Sequence, residues 1–144
     1  MKEKEMYGRT ELEWEALMAA AEEYLISVAE DRKMSNYGDL NAELVRVTGQ
    51  RPFDFGQESE RAAVGRLLGE ISRRSHAEHG IMLSALVTHR NSTNEGAGFY
   101  KLAAELGEMP SKPSADQKLM AMVEQVGKVH AHYAARRPHT AQQW

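Results

Sequence analysis

The apolar positions of this chain recur at the spacing of α-helices. Residues 10–32, 58–79 and 114–137 each place an apolar side chain every three or four positions, which predicts three long amphipathic helices. Shorter runs over 35–48 and 98–107 predict two more. The predicted buried stripes are Trp14, Leu17, Met18, Ala21, Leu25 and Val28; Tyr37, Leu40, Leu44 and Val47; Val64, Leu67, Leu68 and Ile71; and Leu119, Met122, Val123, Val126, His130 and Tyr133.

Capping signals support these boundaries. Thr10 with Glu13 and Ser114 with Gln117 have the spacing of a capping box, in which each side chain hydrogen-bonds the other residue's backbone N–H. Gly49 stands where a C-terminal glycine would end the second helix. The first and last helices are therefore expected to begin near residues 11 and 115.

One segment departs from the helical period. Residues 81–89, IMLSALVTH, are short, apolar and partly β-branched, and a polar stretch follows them, which predicts a strand and a turn. Residues 50–57 predict a loop with Phe53 and Phe55 tucked inward, because two exposed Phe in a short loop would be costly.

The order of these elements predicts a mainly α fold. It is a small helical domain with a helix-turn-helix core and a short strand or wing, flanked by two long helices. The expected organisation is a flexible N-terminus over 1–9, one domain over 10–137 with a winged-helix-like core over 35–107, and a flexible tail over 138–144.

The amino-acid composition excludes several kinds of site. The chain has 144 residues, a formal net charge of −3 and no cysteine, which excludes disulfides, thiolate metal sites and a cysteine nucleophile. No stretch approaches the roughly 20 apolar residues of a membrane span, and the first ten residues lack the apolar core of a signal peptide. We expect a cytoplasmic protein that does not associate with membranes.

The net charge of −3 is the sum over segments that differ in charge. Residues 1–32 carry 4 basic and 9 acidic groups, whereas residues 112–144 carry 5 basic and 2 acidic groups. The middle of the chain is nearly balanced, with 9 basic and 10 acidic groups over 33–111. The overall charge of −3 is therefore a weak argument against a local patch that binds nucleic acid.

The third helix carries the strongest candidate for such a patch. Four arginines lie on it, and arginine binds phosphates and guanine edges well: Arg61, Arg66, Arg73 and Arg74. The alternative is that these arginines pair with acidic residues of the same helix: Glu58, Glu60, Glu70 and Glu78. Gly65 and Gly69 are spaced four apart on this helix and predict the close approach of another backbone, from a neighbouring helix or from a ligand.

Four short runs resemble the winged-helix domain of the alkylguanine DNA alkyltransferases and the alkyltransferase-like proteins. Residues 36–49, NYGDLNAELVRVTG, resemble the first helix of that family's helix-turn-helix, and residues 62–69, AAVGRLLG, are similar to its recognition-helix run. The run LSALVT at 83–88 stands where the family has its reactive-cysteine motif. Residues 94–107, NEGAGFYKLAAELG, are similar to its glycine-rich wing and the helix after it.

The chain departs from the family at the residues that perform the chemistry. Ser84 replaces the alkyl-accepting cysteine, and a serine hydroxyl forms no thiolate-like nucleophile near neutral pH. Ala62 stands at the position of the base-displacing arginine, one residue from Arg61. Tyr37 matches the family's phosphate-contacting tyrosine. The resemblance thus implies a winged-helix-like shape that binds DNA without the transfer reaction.

Other catalytic patterns are weak. His76 and His79 lack the His-Glu-x-x-His arrangement of zinc peptidases, and Ser84 lies outside any G-x-S-x-G turn. We therefore expect no metal, no cofactor and no enzymatic activity, with base processing on a reduced flipping pocket as a lesser alternative.

Two functions follow from the sequence. The first is a non-enzymatic DNA-binding module of winged-helix type that recognises modified or distorted DNA, with phosphate or base contacts from Tyr37, Arg61, Arg66, Arg73, Arg74 and Arg90. The alternative is a protein-interaction or assembly module, a regulator or inhibitor of a partner or a homodimer, that uses its long Met-bearing helices.

Overall fold

Five helices make up most of the computed structural model, which describes residues 5–88 and 97–136. They are α1 (Glu11–Glu30), α2 (Tyr37–Thr48), α3 (Glu58–His79), α4 (Ala97–Glu105) and α5 (Ala115–Arg136). Two-residue strands complete the fold: β1 (Glu5–Met6) pairs antiparallel with β2 (Arg9–Thr10), and β3 (Ser35–Asn36) pairs parallel with β4 (Val87–Thr88). The mainly α fold class predicted from the sequence is confirmed.

Helix α1 is the centre of the packing. It contacts α2, α3, α5 and the segment after α3. Its buried side chains recur every four residues, at Leu17, Ala21, Leu25 and Ala29. Leu40 and Leu44 of α2 and Leu67 and Ile71 of α3 complete the main core around it.

The predicted capping boxes are present. Thr10 Oγ1 accepts a hydrogen bond from Glu13 N at 3.1 Å, and Glu13 Oε1 accepts one from Thr10 N at 2.8 Å. Ser114 and Gln117 make the same reciprocal pair before α5, at 2.9 and 3.1 Å. Gly49 ends α2 with a φ of 70°, a left-handed conformation that glycine adopts without strain.

The strand predicted over 81–89 is largely wrong. Leu83–Leu86 form a turn of 3-10 helix, and only Val87–Thr88 are extended. The N–H groups here donate mainly to side chains: Ser84 N to Ser72 Oγ at 2.9 Å, Leu83 N to Ser75 Oγ at 3.1 Å and Met82 N to Gln125 Oε1 at 2.9 Å. Residues 81–87 are all buried. Their apolar character thus reflects complete burial and not a sheet.

Three residues of the predicted stripes lie on the surface. Val47 is 51% exposed, Leu119 53% and Val123 56%. Helix α5 instead buries the row Ala121, Gln125, Val129 and Tyr133. A polar residue belongs to this row because the Gln125 amide hydrogen-bonds Met82 N and Glu108.

The N-terminal hairpin is tied to the domain by a buried arginine. Residues 5–9, which the sequence places in a flexible segment, pair into β1 and β2, and the Arg9 side chain is buried. Arg9 Nη1 lies 3.3 Å from Glu60 Oε2, and its guanidinium stacks 4.0 Å from the centre of the Phe53 ring. Phe53 is buried as predicted, whereas Phe55 is half-buried.

Candidate nucleic-acid interface

The exposed face of α3 lies between α1 and α4. It forms one wall of two grooves, of which one is shared with α4 and the other with α1. Arg66 and Glu70 line both grooves, because they lie at the centre of the exposed face. Arg73 faces the groove beside α4, and Arg74 faces the groove beside α1. Three of the four arginines predicted on this helix therefore line a groove.

The groove between α3 and α4 is a shallow cavity of about 300 Å³. Its floor carries three glycines, Gly65, Gly69 and Gly98, and a Cβ at any of them would meet no atom within 4 Å. The glycines thus face open space, and the expected close packing of a neighbouring helix against Gly65 and Gly69 is not present. The other lining residues are Arg66, Glu70, Arg73, Lys101, Leu102 and Glu105.

This groove has an excess of positive charge. Arg66 and Lys101 make no ion pair or hydrogen bond within the part of the chain that the structure describes. Arg73 Nη2 lies 2.8 Å from Glu105 Oε2, and both side chains of that pair are about half exposed. Three cations and two carboxylates therefore line the groove, and two of the cations are available to an incoming anion.

The groove between α1 and α3 has the opposite character. It encloses about 520 Å³, and four carboxylates line it against two guanidinium groups: Glu11, Glu15, Glu22 and Glu70 against Arg66 and Arg74. Three of the acidic side chains of α1, Glu11, Glu15 and Glu22, line this second groove. An anion approaching α3 is thus attracted on the α4 side and repelled on the α1 side.

The proposed pairing of the α3 arginines with carboxylates of their own helix is not found among the described residues. Glu60 is buried and pairs with Arg9 and with Arg51, whose Nη1 lies 2.9 Å from Glu60 Oε1. Burial by itself raises the pKa of Glu60. The hydrogen bond from Asp54 N and the two guanidinium charges outweigh that effect and lower the pKa.

Two other predicted residues lie away from the groove. Arg61 Nη1 donates to the Phe55 carbonyl oxygen at 2.7 Å, which fastens the 49–57 loop to the start of α3. Tyr37, at the first turn of α2, is half-buried, with its ring 5.8 Å from that of Phe55. Arg90 lies outside the described residues. Of the predicted set, the structure therefore brings Arg66 and Arg73 together in the basic groove, where Lys101 joins them, whereas Arg74 lines the acidic groove beside α1.

A partly buried polar network behind α3 joins His76 to residues far from it in the sequence, Glu108, Gln125 and Lys128. Gln125 Nε2 donates to Glu108 Oε1 at 2.8 Å, and Glu108 Oε2 lies 2.9 Å from His76 Nε2. Lys128 Nζ adds a contact of 3.3 Å to Glu108. Burial raises the pKa of Glu108, but these polar partners outweigh it and hold the pKa below its ordinary 4.5. The arrangement fixes the linker after α4 to α3 and α5.

Ser84 lies in the protein core, where its side chain contributes to packing. It is buried, and its hydroxyl bonds to Ser72 Oγ at 2.6 Å.

Across residues 5–88 and 97–136, no group of three or more acidic or histidine side chains is placed to hold a metal ion. No helix in these ranges is long and apolar enough to cross a membrane.

The chain matches no protein-family model, no curated protein and no solved structure.

Proposed function

We propose that this chain is a non-enzymatic DNA-binding module of winged-helix type that places α3 and α4 against the sugar–phosphate backbone. The observation that carries the proposal is a pair of cations without a partner among residues 5–88 and 97–136, Arg66 and Lys101, on opposite walls of one open groove. Unpaired cations facing a cleft attract polyanions, and neutralising phosphates supplies most of the affinity of non-specific DNA binding.

The shape of the groove supports the same function. Its three glycines leave the floor without side chains, so that a phosphate can approach the α3 backbone closely. Arg66 and Arg73 are seven residues apart and lie on the same face of α3. Their planar guanidinium groups suit bidentate contacts to phosphate oxygens, while Lys101 supplies a point charge from the opposite wall.

The acidic side chains of α1 determine on which side of α3 the DNA lies in the proposed complex. Glu11, Glu15 and Glu22 line the neighbouring groove and repel a phosphate backbone placed there. The DNA therefore lies toward α4 and crosses α3 at Arg66 and Arg73. A preference for modified or distorted duplexes is part of this proposal, because such DNA bends into a short groove at a lower deformation cost.

A fluorescence anisotropy titration tests the proposal. Fluorescein-labelled 20-base-pair duplexes, one fully paired and one with a central mismatch, are titrated with the chain near 50 mM salt, where charge-driven binding is strongest. The proposal requires saturable binding, tighter for the mismatched duplex. An equal affinity for the two duplexes would remove the preference for distorted DNA. The absence of binding to either would remove the function itself.

A protein-interaction module is the second candidate. It is favoured by the exposed apolar side chains on α5, Leu119, Met120 and Val123, which lie away from the basic groove. Three large apolar side chains within five residues of one exposed helix face are typical of a contact surface.

A further inference from the structure

The groove between α1 and α3 has an apolar floor. Five apolar side chains line it: Met6, Trp14, Met18, Ala19 and Leu67. Met6 is 40% exposed, and Trp14 and Met18 are half-buried, so that the floor is accessible from solvent. The indole of Trp14 is fixed, because its Nε1 donates a hydrogen bond to the Met6 carbonyl oxygen at 2.8 Å. A fixed aromatic ring beside two flexible methionine side chains can adapt to apolar side chains of a partner.

The α1 wall of this groove carries negative charge only. Glu11, Glu15, Met18 and Glu22 follow one another at intervals of four, three and four residues, which places them on one face of the helix. The three carboxylates form no ion pair and no hydrogen bond with residues 5–88 or 97–136. They are therefore available to cations that enter the groove.

The α3 wall carries both signs of charge. Glu70 lies between Arg66 and Arg74, four residues from each, and all three line the groove. None of these side chains is engaged in an ion pair or a hydrogen bond inside the described ranges. A cation in the groove is thus attracted to the α1 wall, while the two guanidinium groups keep it away from α3.

We propose that this groove binds an amphipathic helix of a partner protein, with its apolar stripe on the floor and its lysine or arginine side chains along the α1 wall. An amphipathic helix that places its apolar face in a groove is a common mode of peptide recognition. The carboxylates of Glu11 and Glu22 belong to positions about 16 Å apart along α1, three helical turns, which is the reach of a helix and exceeds that of one small cation.

The spacing of the carboxylates suits a helical partner. Glu15 follows Glu11 by about 6 Å along the helix axis, and Glu22 follows Glu15 by about 10 Å. These steps are four and seven residues of any α-helix, so a helix that lies along α1 can place a cation beside each carboxylate. The two grooves beside α3 thus select opposite charges, polyanions on the α4 side and a basic helix on the α1 side.

Trp14 reports on occupation of the floor. The chain has two tryptophans, so Trp144→Phe leaves Trp14 as the single indole fluorophore. This variant is titrated near 50 mM salt, without DNA, with a synthetic peptide of about 18 residues that has leucines on one helical face and lysines beside them. We expect saturable binding that shifts the Trp14 emission. A lack of binding would overturn the proposal.

Two control peptides separate helix docking from attraction by charge. One replaces every lysine by glutamate, and it should not bind, because the α1 wall repels it. The other keeps the composition of the leucine–lysine peptide but scrambles the order, so that no apolar face forms. Its affinity should be lower at least about tenfold, since it cannot bury leucines on the floor. Equal affinity of the scrambled peptide would contradict the proposed mode of binding.

Charge reversal on α1 tests the position of the partner. Glu15→Lys is the test variant, and Glu23→Lys is its matched control, because both glutamates are exposed on α1 and Glu23 lines neither groove. We expect the dissociation constant of the leucine–lysine peptide to rise about tenfold for Glu15→Lys and less than about twofold for Glu23→Lys. Equal losses in the two variants would overturn the assignment to this groove.

A pair of methionine variants tests the floor. Met6→Gln keeps the backbone carbonyl that Trp14 uses, and Met34→Gln is the control, since Met6 is 40% and Met34 42% exposed and only Met6 lines the groove. The peptide should bind about threefold or more weakly to Met6→Gln and unchanged to Met34→Gln. Unchanged binding to Met6→Gln would contradict contact with the floor.

Light scattering of the chain alone examines a second copy as the occupant. We expect a monomer, whereas a dimer that Glu15→Lys dissociates would assign the groove to a second copy and overturn the proposal. The DNA-binding proposal does not depend on any of these results, because they are obtained without DNA and concern the groove on the α1 side.

Discussion

Arg73 on α3 and Glu105 on α4 join the two walls of the basic groove, with 2.8 Å between Arg73 Nη2 and Glu105 Oε2. Both side chains are about half exposed, so the pair contributes little to stability, roughly 0–1 kcal/mol. Its larger effect is electrostatic, because the carboxylate of Glu105 masks one of the three cations in the groove.

Removal of that carboxylate is expected to strengthen DNA binding. Glu105→Gln leaves Arg73 unpaired and removes a negative charge from the path of the phosphates. The affinity for duplex DNA should rise about two- to fivefold near 50 mM salt, with an unchanged unfolding midpoint in urea. Glu23→Gln, at an exposed position of α1 that lines neither groove, is the matched control and should raise affinity less. Equal gains for the two variants would assign the effect to net charge alone.

Loss of an unpartnered cation should have the opposite effect. Arg66→Gln removes one proposed phosphate contact, and we expect an affinity about five- to tenfold lower, with the slope of log affinity against log salt reduced by roughly 0.9. Arg66 has no partner among the described residues, so the stability of the fold should change by less than about 0.5 kcal/mol. Lys112→Gln removes one positive charge away from the groove as a control. The prediction fails if both variants lose affinity equally.

Replacement of the glycines in the groove floor by alanine should raise stability and lower the affinity for DNA. A Cβ at Gly65 or Gly69 meets no atom within 4 Å, so each Gly→Ala change should raise the free energy of unfolding by about 0.5–1 kcal/mol. If the glycines admit a phosphate close to the backbone, the double variant binds DNA more weakly although it is more stable. Urea unfolding and anisotropy measure the two effects, and unchanged affinity would show that the floor is not contacted.

Ser72 should contribute strongly to stability. Its Oγ accepts the Ser84 N–H at 2.9 Å inside the core, and Ser72→Ala leaves that buried donor without this acceptor. We expect a loss of about 1–3 kcal/mol in the free energy of unfolding, measured by urea titration. Ser59→Ala, at an exposed serine in the first turn of the same helix, should change stability by less than about 0.5 kcal/mol. A similar loss in both variants would contradict the role given to Ser72.

Glu108 predicts a pH dependence of stability. Its polar partners hold the pKa below 4.5 in the folded state, so ionisation of Glu108 favours folding. That contribution is complete above about pH 4.5 and is lost as the pH falls through the folded-state pKa. The stability difference between the wild type and Glu108→Gln should therefore be larger above about pH 4.5 than at lower pH, and should shrink as the pH falls through the folded-state pKa of Glu108. A difference independent of pH would contradict this account.

The sequence predicts the helices well and their orientation less well. Helix α3 spans the predicted residues 58–79, and both capping boxes form, because these features depend on neighbours a few positions apart. The strand over 81–89 fails since the acceptors for its backbone come from distant side chains, among them Gln125. The groove likewise depends on Arg66 of α3 and Lys101 of α4 lining the same cavity, a juxtaposition that local spacing does not encode.

The salt dependence of DNA affinity tests the central claim most directly. Anisotropy titrations of a 20-base-pair duplex between 50 and 200 mM salt should give a log–log slope of about −2 to −3, which corresponds to contacts from Arg66, Lys101 and Arg73. The Arg66→Gln variant should lose close to one unit of that slope. Absence of binding at 50 mM salt, or a slope that Arg66→Gln leaves unchanged, would contradict the assignment of the α3–α4 groove as the DNA-binding surface.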